Sequence, residues 1–290
     1  MNRRTMLRGA LLVAALLAAG APSLDAQVTR YVRFQDGMAD AWGVLEGETI
    51  QRLSAAPYAG GTRTGQSVAL SSVALLAPAT PKTTIVLNVN YPSGVTGQPR
   101  ERPTLVTIPP RALTGHGSPI LRPVEAENVR AEATLAIVIG SIARNVSPEQ
   151  AGQHILGVAP AVDVTAMDWR TGQWARAKGT DTFKPMGPAV VSGVDYDNLT
   201  ITGRHNGTAL QPVRTSEMIW SPNEVVSYIS RYMTLNPGDV VFAGTAGAEF
   251  TVALQPGDNF EVEVSGVGTL RNSVAAAPPV ALTLPPPHTP

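Results

Sequence analysis

The 290-residue sequence contains no cysteine. That single absence removes disulfides, cysteine-ligated zinc, iron–sulfur clusters and thiol catalysis together. Charge is scarce as well: charged residues make up 15% of the chain, 22 basic against 22 acidic, for a formal net charge of zero. The basic residues are nearly all arginine and lie scattered, so no stripe is offered to nucleic acid or to an anionic membrane surface. Aromatic residues reach only 5%, which is poor material for a carbohydrate-stacking module. What the chain does have is 43% hydrophobic content, and 290 residues are enough to bury a full core.

Residues 1–26 read as a targeting segment rather than as part of the fold. Arg3 and Arg4 open a charged region, the apolar run Gly9 to Ala21 is too short to span a bilayer, and Leu24-Asp25-Ala26 before Gln27 is a plausible cleavage site. The run Asn2 to Arg8 is similar to a twin-arginine signal, and an ordinary secretory signal fits equally well. Either route implies a periplasmic or secreted protein, with no membrane association once the signal is removed.

From Val28 to Leu53 apolar and polar residues alternate, broken by turn chemistry at Asp36-Gly37 and Glu46-Gly47-Glu48. This is a small antiparallel β unit, placed at residues 27–78, with Ala55 to Ser72 expected to be loop. The main domain is placed at 79–274, and 275–290 is a Pro- and Ala-rich tail expected to be disordered. Short strands dominate the main domain, with Asn206-Gly207 as a hairpin turn. Two capped helices are expected: Ser147-Pro148-Glu149-Gln150 opens a short one ending near Gly157, and Ser221-Pro222-Asn223-Glu224 opens one running to about Thr234. The sequence therefore predicts a mainly β (α+β) fold, antiparallel or mixed.

Ala131 to Ile139 and Val158 to Val164 are apolar enough to be buried strands, yet they carry Glu132 and Asp163. Buried carboxylates are costly without a cation or hydrogen bonds. The pair predicts a divalent cation, against the alternative of acids satisfied by backbone N–H groups. Lys178 is open between a catalytic role and an ion-pair partner for Asp163 or Asp181. Trp169 and Trp174 read as core packing, and His116, His154, His205 and His288 as surface or structural groups.

Several ordered segments resemble the fumarylacetoacetate hydrolase family: Val138-Ile139-Gly140, Ala143 to Ser147, Lys178 to Pro188, Asn206 to Met218, Asn236 to Val241 and Gly268 to Asn272. The likeness runs from about Arg30 to Val274. It implies a β-sandwich-like roll behind a small β-rich N-terminal domain, a homodimer, and enolate chemistry on a small keto or diketo acid by a hydrolase, decarboxylase or isomerase. It also implies Mg2+ or Mn2+ held by a Glu-x-Glu pair and an Asp, which here read Glu132, Thr134 and Asp163. Lys178 is kept, as is Gly244-Thr245, which the family uses on the substrate carboxylate, although the following Pro is Ala246. The lid His of the family corresponds to Gly94, its partner Glu to Gly97, a Lys to Ile108, and the Asn and Arg flanking the metal Asp to Val162 and Met167. Loss of the water-activating His argues against hydrolysis, and a non-catalytic binder of small carboxylates or of a protein partner is the alternative reading.

Overall fold

A computed structural model describes residues 27–94, 101–247 and 250–279. Among the described residues twenty strands carry the fold: β1 (Thr29–Asp36), β2 (Ala39–Glu46), β3 (Thr49–Leu53), β4 (Arg63–Ala69), β5 (Leu75–Leu76), β6 (Thr84–Leu87), β7 (Leu105–Ile108), β8 (Leu113–Thr114), β9 (Ile120–Arg122), β10 (Val129–Ile139), β11 (Ile155–Ala166), β12 (Lys184–Pro185), β13 (Val190–Ser192), β14 (Thr200–His205), β15 (Thr208–Ala209), β16 (Val213–Arg214), β17 (Val240–Phe242), β18 (Val252–Ala253), β19 (Asn259–Val264) and β20 (Gly268–Ala276). The α-helices among the described residues are short: α1 (Pro148–Ala151), α2 (Trp174–Gly179) and α3 (Pro222–Ser230).

The larger sheet has the order β4-β3-β2-β1-β13-β11-β10-β17-β6-β7, and a second sheet the order β15-β14-β19-β20-β9. The N-terminal hairpins thus extend the main sheet through β1 and β13. Most ladders are antiparallel; β6 with β17, β9 with β20 and β8 with β12 are parallel. The fold is mixed and mainly β, as its sequence predicts.

Side chains alternate across the two long central strands. On one face Ala131, Leu135, Ile137, Val158, Val162 and Val164 share a core with Ile201, Phe260, Val262 and Leu270 of the second sheet. On the other, Ala136, Val138, Ala159 and Ala161 pack with Val86, Ile108, Met186 and Phe242. By the same alternation Glu132, Thr134, Asp163 and Thr165 belong to this second face.

Four local expectations change. Arg63–Ala69, read as loop, is a strand paired with β3; its side chains are exposed apart from half-buried Val68, so no apolar period marks it. Helix α1 stops at Ala151 and gives way to a tight turn at Gly152–His154, because β11 pairs with β10 from Ile155 on. Helix α3 ends at Ser230 rather than near Thr234. The last strand reaches Ala276, inside the segment read as tail, where Ala275 and Ala276 pair with Leu121 and Arg122. The targeting segment, Gly97 and residues 280–290 lie outside the described residues. Among the described residues no helix is long and apolar enough to cross a membrane.

Candidate active site

Glu132 and Asp163 are direct cross-strand partners in the β10–β11 ladder. Two acids whose Cα atoms face each other repel unless something intervenes. What intervenes is a pair of lysines. Lys178 Nζ lies 2.5 Å from Asp163 Oδ2 and donates to Thr165 Oγ1 at 2.9 Å. Lys184 Nζ forms an ion pair with Asp163 Oδ1 at 2.9 Å. Its hydrogen bonds go to the carbonyls of Val164 (2.7 Å) and Phe183 (3.1 Å). Asp163, Lys178 and Lys184 are buried, Lys184 completely.

Helix α2 delivers Lys178 and the short β12, paired with β8, delivers Lys184. The chain has three lysines, and these are two of them. Lys178 was legible as a candidate; Lys184 was not. Its one available signal was the rarity of its residue type, since nothing local marks the stretch before Met186-Gly187-Pro188 as part of a site.

The fourth side is a break in the sheet. Strand β17 pairs with Ala136 to Val138, and β18 with Arg130 and Ala131. Between these two ladders Glu132 to Thr134 lie beside residues 244–246. Thr134 Oγ1 donates to Gly244 O at 2.7 Å, and Thr245 lies near enough to Glu132 to pull its pKa down against the larger upward push of burial. Gly244 has φ +91, and a Cβ there would stand 2.5 Å from Asn88 O and 2.6 Å from Asn90 Cβ, so only glycine fits. Asn90 bolts this corner together: its side chain donates to Trp220 O and Ala243 O and accepts from Trp220 N. Beside Glu132 a shallow cleft is lined by Ile201, Leu210, Val213, Ala246 and Phe250.

These surroundings set the charges. Burial pushes the Asp163 carboxyl up, but the two ammonium groups outweigh it and hold the carboxyl below the usual carboxylate range. Burial, then Asp163, push Glu132 up to about 7. Its Oε1 is buried and has no hydrogen-bond partner. Burial brings Lys184 down to about 8 despite the upward pull of Asp163.

Other residues singled out in the sequence fall elsewhere. His116 accepts from Arg271 N, His154 bonds Ser141, and His205 pairs with Asp258; none of these contacts involves the acid–lysine cluster. His288 lies outside the described residues. Trp174 is not core packing: it is 37% exposed, with Lys178 Nζ 5.9 Å from its ring centre. Trp169 is stacked by Arg176 at 3.9 Å. Tyr91 is buried with an unpartnered hydroxyl, and burial with Glu217 nearby raises its pKa.

Residues 84–275 match the family described as Fumarylacetoacetate (FAA) hydrolase C-terminal. The chain belongs to the fumarylacetoacetate hydrolase family. Residues 29–78 match the family described as Rv2993c-like, N-terminal. Among relatives, a mitochondrial oxaloacetate tautomerase of Xenopus laevis is 35% identical over 221 residues, 70% of this chain and 69% of that one. The crystal structure of 2-hydroxyhepta-2,4-diene-1,7-dioate isomerase from Mycobacterium marinum superposes with a TM-score of 0.79 at 35% identity, covering 86% of this chain and 98% of that one. Maleylpyruvate hydrolase from Sphingobium sp. SYK-6, solved with manganese(II) and pyruvate, shares the fold at a TM-score of 0.71 and 24% identity, covering 86% of this chain and 100% of that one.

The family's divalent cation needs several hard oxygen ligands. Among the described residues no three His, Cys, Asp or Glu side chains gather. Each Asp163 oxygen has an ammonium against it, and the Thr134 hydroxyl is spent on a carbonyl. Glu132 Oε1 is buried with neither a hydrogen bond nor an ammonium against it. As arranged, these residues do not fit a magnesium or manganese ion.

Proposed function

We propose that this protein is a tautomerase or isomerase of small keto acids, moving a proton between carbon and oxygen through an enolate. The observation that carries the reading is Glu132: a buried carboxyl with an unpartnered oxygen and a pKa near 7. A proton carrier is most effective when its pKa lies near the working pH. Lys178, buried against Asp163 with its ammonium 5.9 Å from the exposed Trp174 ring, supplies positive charge to an enolate oxygen, and Thr245 with the backbone at Gly244 flanks the substrate's carboxylate. Glycine at position 94, where the resemblance places the water-activating His, favours proton transfer over hydrolysis.

The tautomerase and isomerase relatives support this reaction class. Homodimer formation and export by the segment at residues 1–26 belong to the same reading. The test is to follow oxaloacetate enol–keto interconversion by ultraviolet absorbance with the purified mature chain. Acceleration over buffer that is lost in Glu132→Gln supports the proposal. No acceleration in the wild type returns the chain to a binding role.

A further inference from the structure

We infer that Lys184 is the site's resident cation, its ammonium standing where a divalent ion would have to bind, so that the chemistry proposed above runs without a divalent metal. The inference rests on that reading for the position of the site and on separate geometry for the rest. Lys184 has no exposure, and its carbonyl bonds to Val164 and Phe183 hold it on the side of Asp163 opposite Lys178. Its backbone is fixed by the β8–β12 pairing and by Val164 N donating to Phe183 O.

Charge counting gives the same answer. Glu132 and Asp163 supply two negative charges, Lys178 and Lys184 two positive ones, so the fully ionised cluster is neutral. A divalent ion would leave an uncompensated double positive charge in a buried site, with two ammonium groups against the same carboxylate. Lys184 acts through Asp163 and is a positioning residue.

The experiment is titration with Mn2+ alone, read as loss of the free-ion electron paramagnetic resonance signal, on wild type, Lys184→Met, Lys184→Gln and Lys184→Arg. Wild type and Lys184→Arg should show no saturable binding into the millimolar range. Removing the charge should tighten binding by about tenfold or more, since it removes a like charge next to the ion. Lys184→Gln keeps a donor for the two carbonyls and serves if Lys184→Met does not fold. Saturable micromolar binding by the wild type overturns the inference, as does a folded, uncharged variant that binds no better than wild type. Enol–keto interconversion is measured alongside in chelator. Activity that appears only with added Mn2+ overturns the inference and leaves the proposed reaction standing; no activity under any condition removes the reaction, and the Mn2+ titration still decides Lys184.

Discussion

Replacing Asp163 by asparagine leaves two buried ammonium groups facing an amide. Removing one partner of a buried ion pair costs about 3–5 kcal/mol because the other charge is stranded. Here two charges are stranded by one substitution, one of them on a fully buried lysine. The loss should therefore sit at the top of that range, about 5 kcal/mol, or roughly 10 to 20 °C in Tm for a chain this long. The informative comparison is the double-mutant cycle with Lys184→Met. If the lysine is held by Asp163, removing it from the Asp163→Asn background relieves part of the damage, and the double variant is more stable than the sum of the singles by about 1–3 kcal/mol. Urea denaturation at pH 7, with m unchanged across the set, measures all four corners. Additivity within about 0.5 kcal/mol would refute the claim that these groups form one cluster.

Glu132→Gln should lower the enol–keto rate by about 10² to 10⁴ while the fold is kept. Because the folded pKa of Glu132 is raised from 4.5 to about 7, its contribution to stability is present below 4.5 and lost as pH rises through 7; in Glu132→Gln that decline should vanish from the urea midpoints. Lys184 has the opposite sign: its folded pKa is depressed from 10.5 to about 8, so its contribution is present above 10.5 and lost as pH falls through 8. Wild type should therefore gain stability relative to Lys184→Met between pH 8 and pH 10, seen in the same denaturation series. Gly244→Ala, forced to hold a left-handed φ and to press Cβ against Asn88 and Asn90, should cost about 2–3 kcal/mol and loosen the corner at Thr245, read as a lower Tm and a raised KM.

The hairpins, the capping boxes and the two acidic strands were legible because each is written locally, as turn residues or as apolar spacing. Glu132 and Asp163 stood out because carboxylates interrupt runs of Ala, Val and Ile. Lys184 was invisible to the same reading: its burial comes from a parallel pairing with β8, far back in the chain, in the register Leu113 to Lys184. The strand β4 hid for the converse reason, being an edge with no face to bury. Resemblance named Thr134 as the place of a missing acid. What replaced the ion's charge depended on tertiary contacts that no spacing records.

The direct opposition of Glu132 and Asp163 also bears on how the two central strands find each other. Strands β10 and β11 are buried on both faces and built largely from Ala, Val and Ile, so hydrophobicity alone scarcely separates one alignment from the next. A slip of one residue turns every side chain of the slipped strand to the other face. For β11 that would drive Asp163 into the apolar layer formed with Ile201 and Phe260, away from both lysines. The charges that shape the site thus serve as an alignment key for the sheet, rejecting pairings slipped by an odd number of residues because each of those leaves a carboxylate among hydrocarbons.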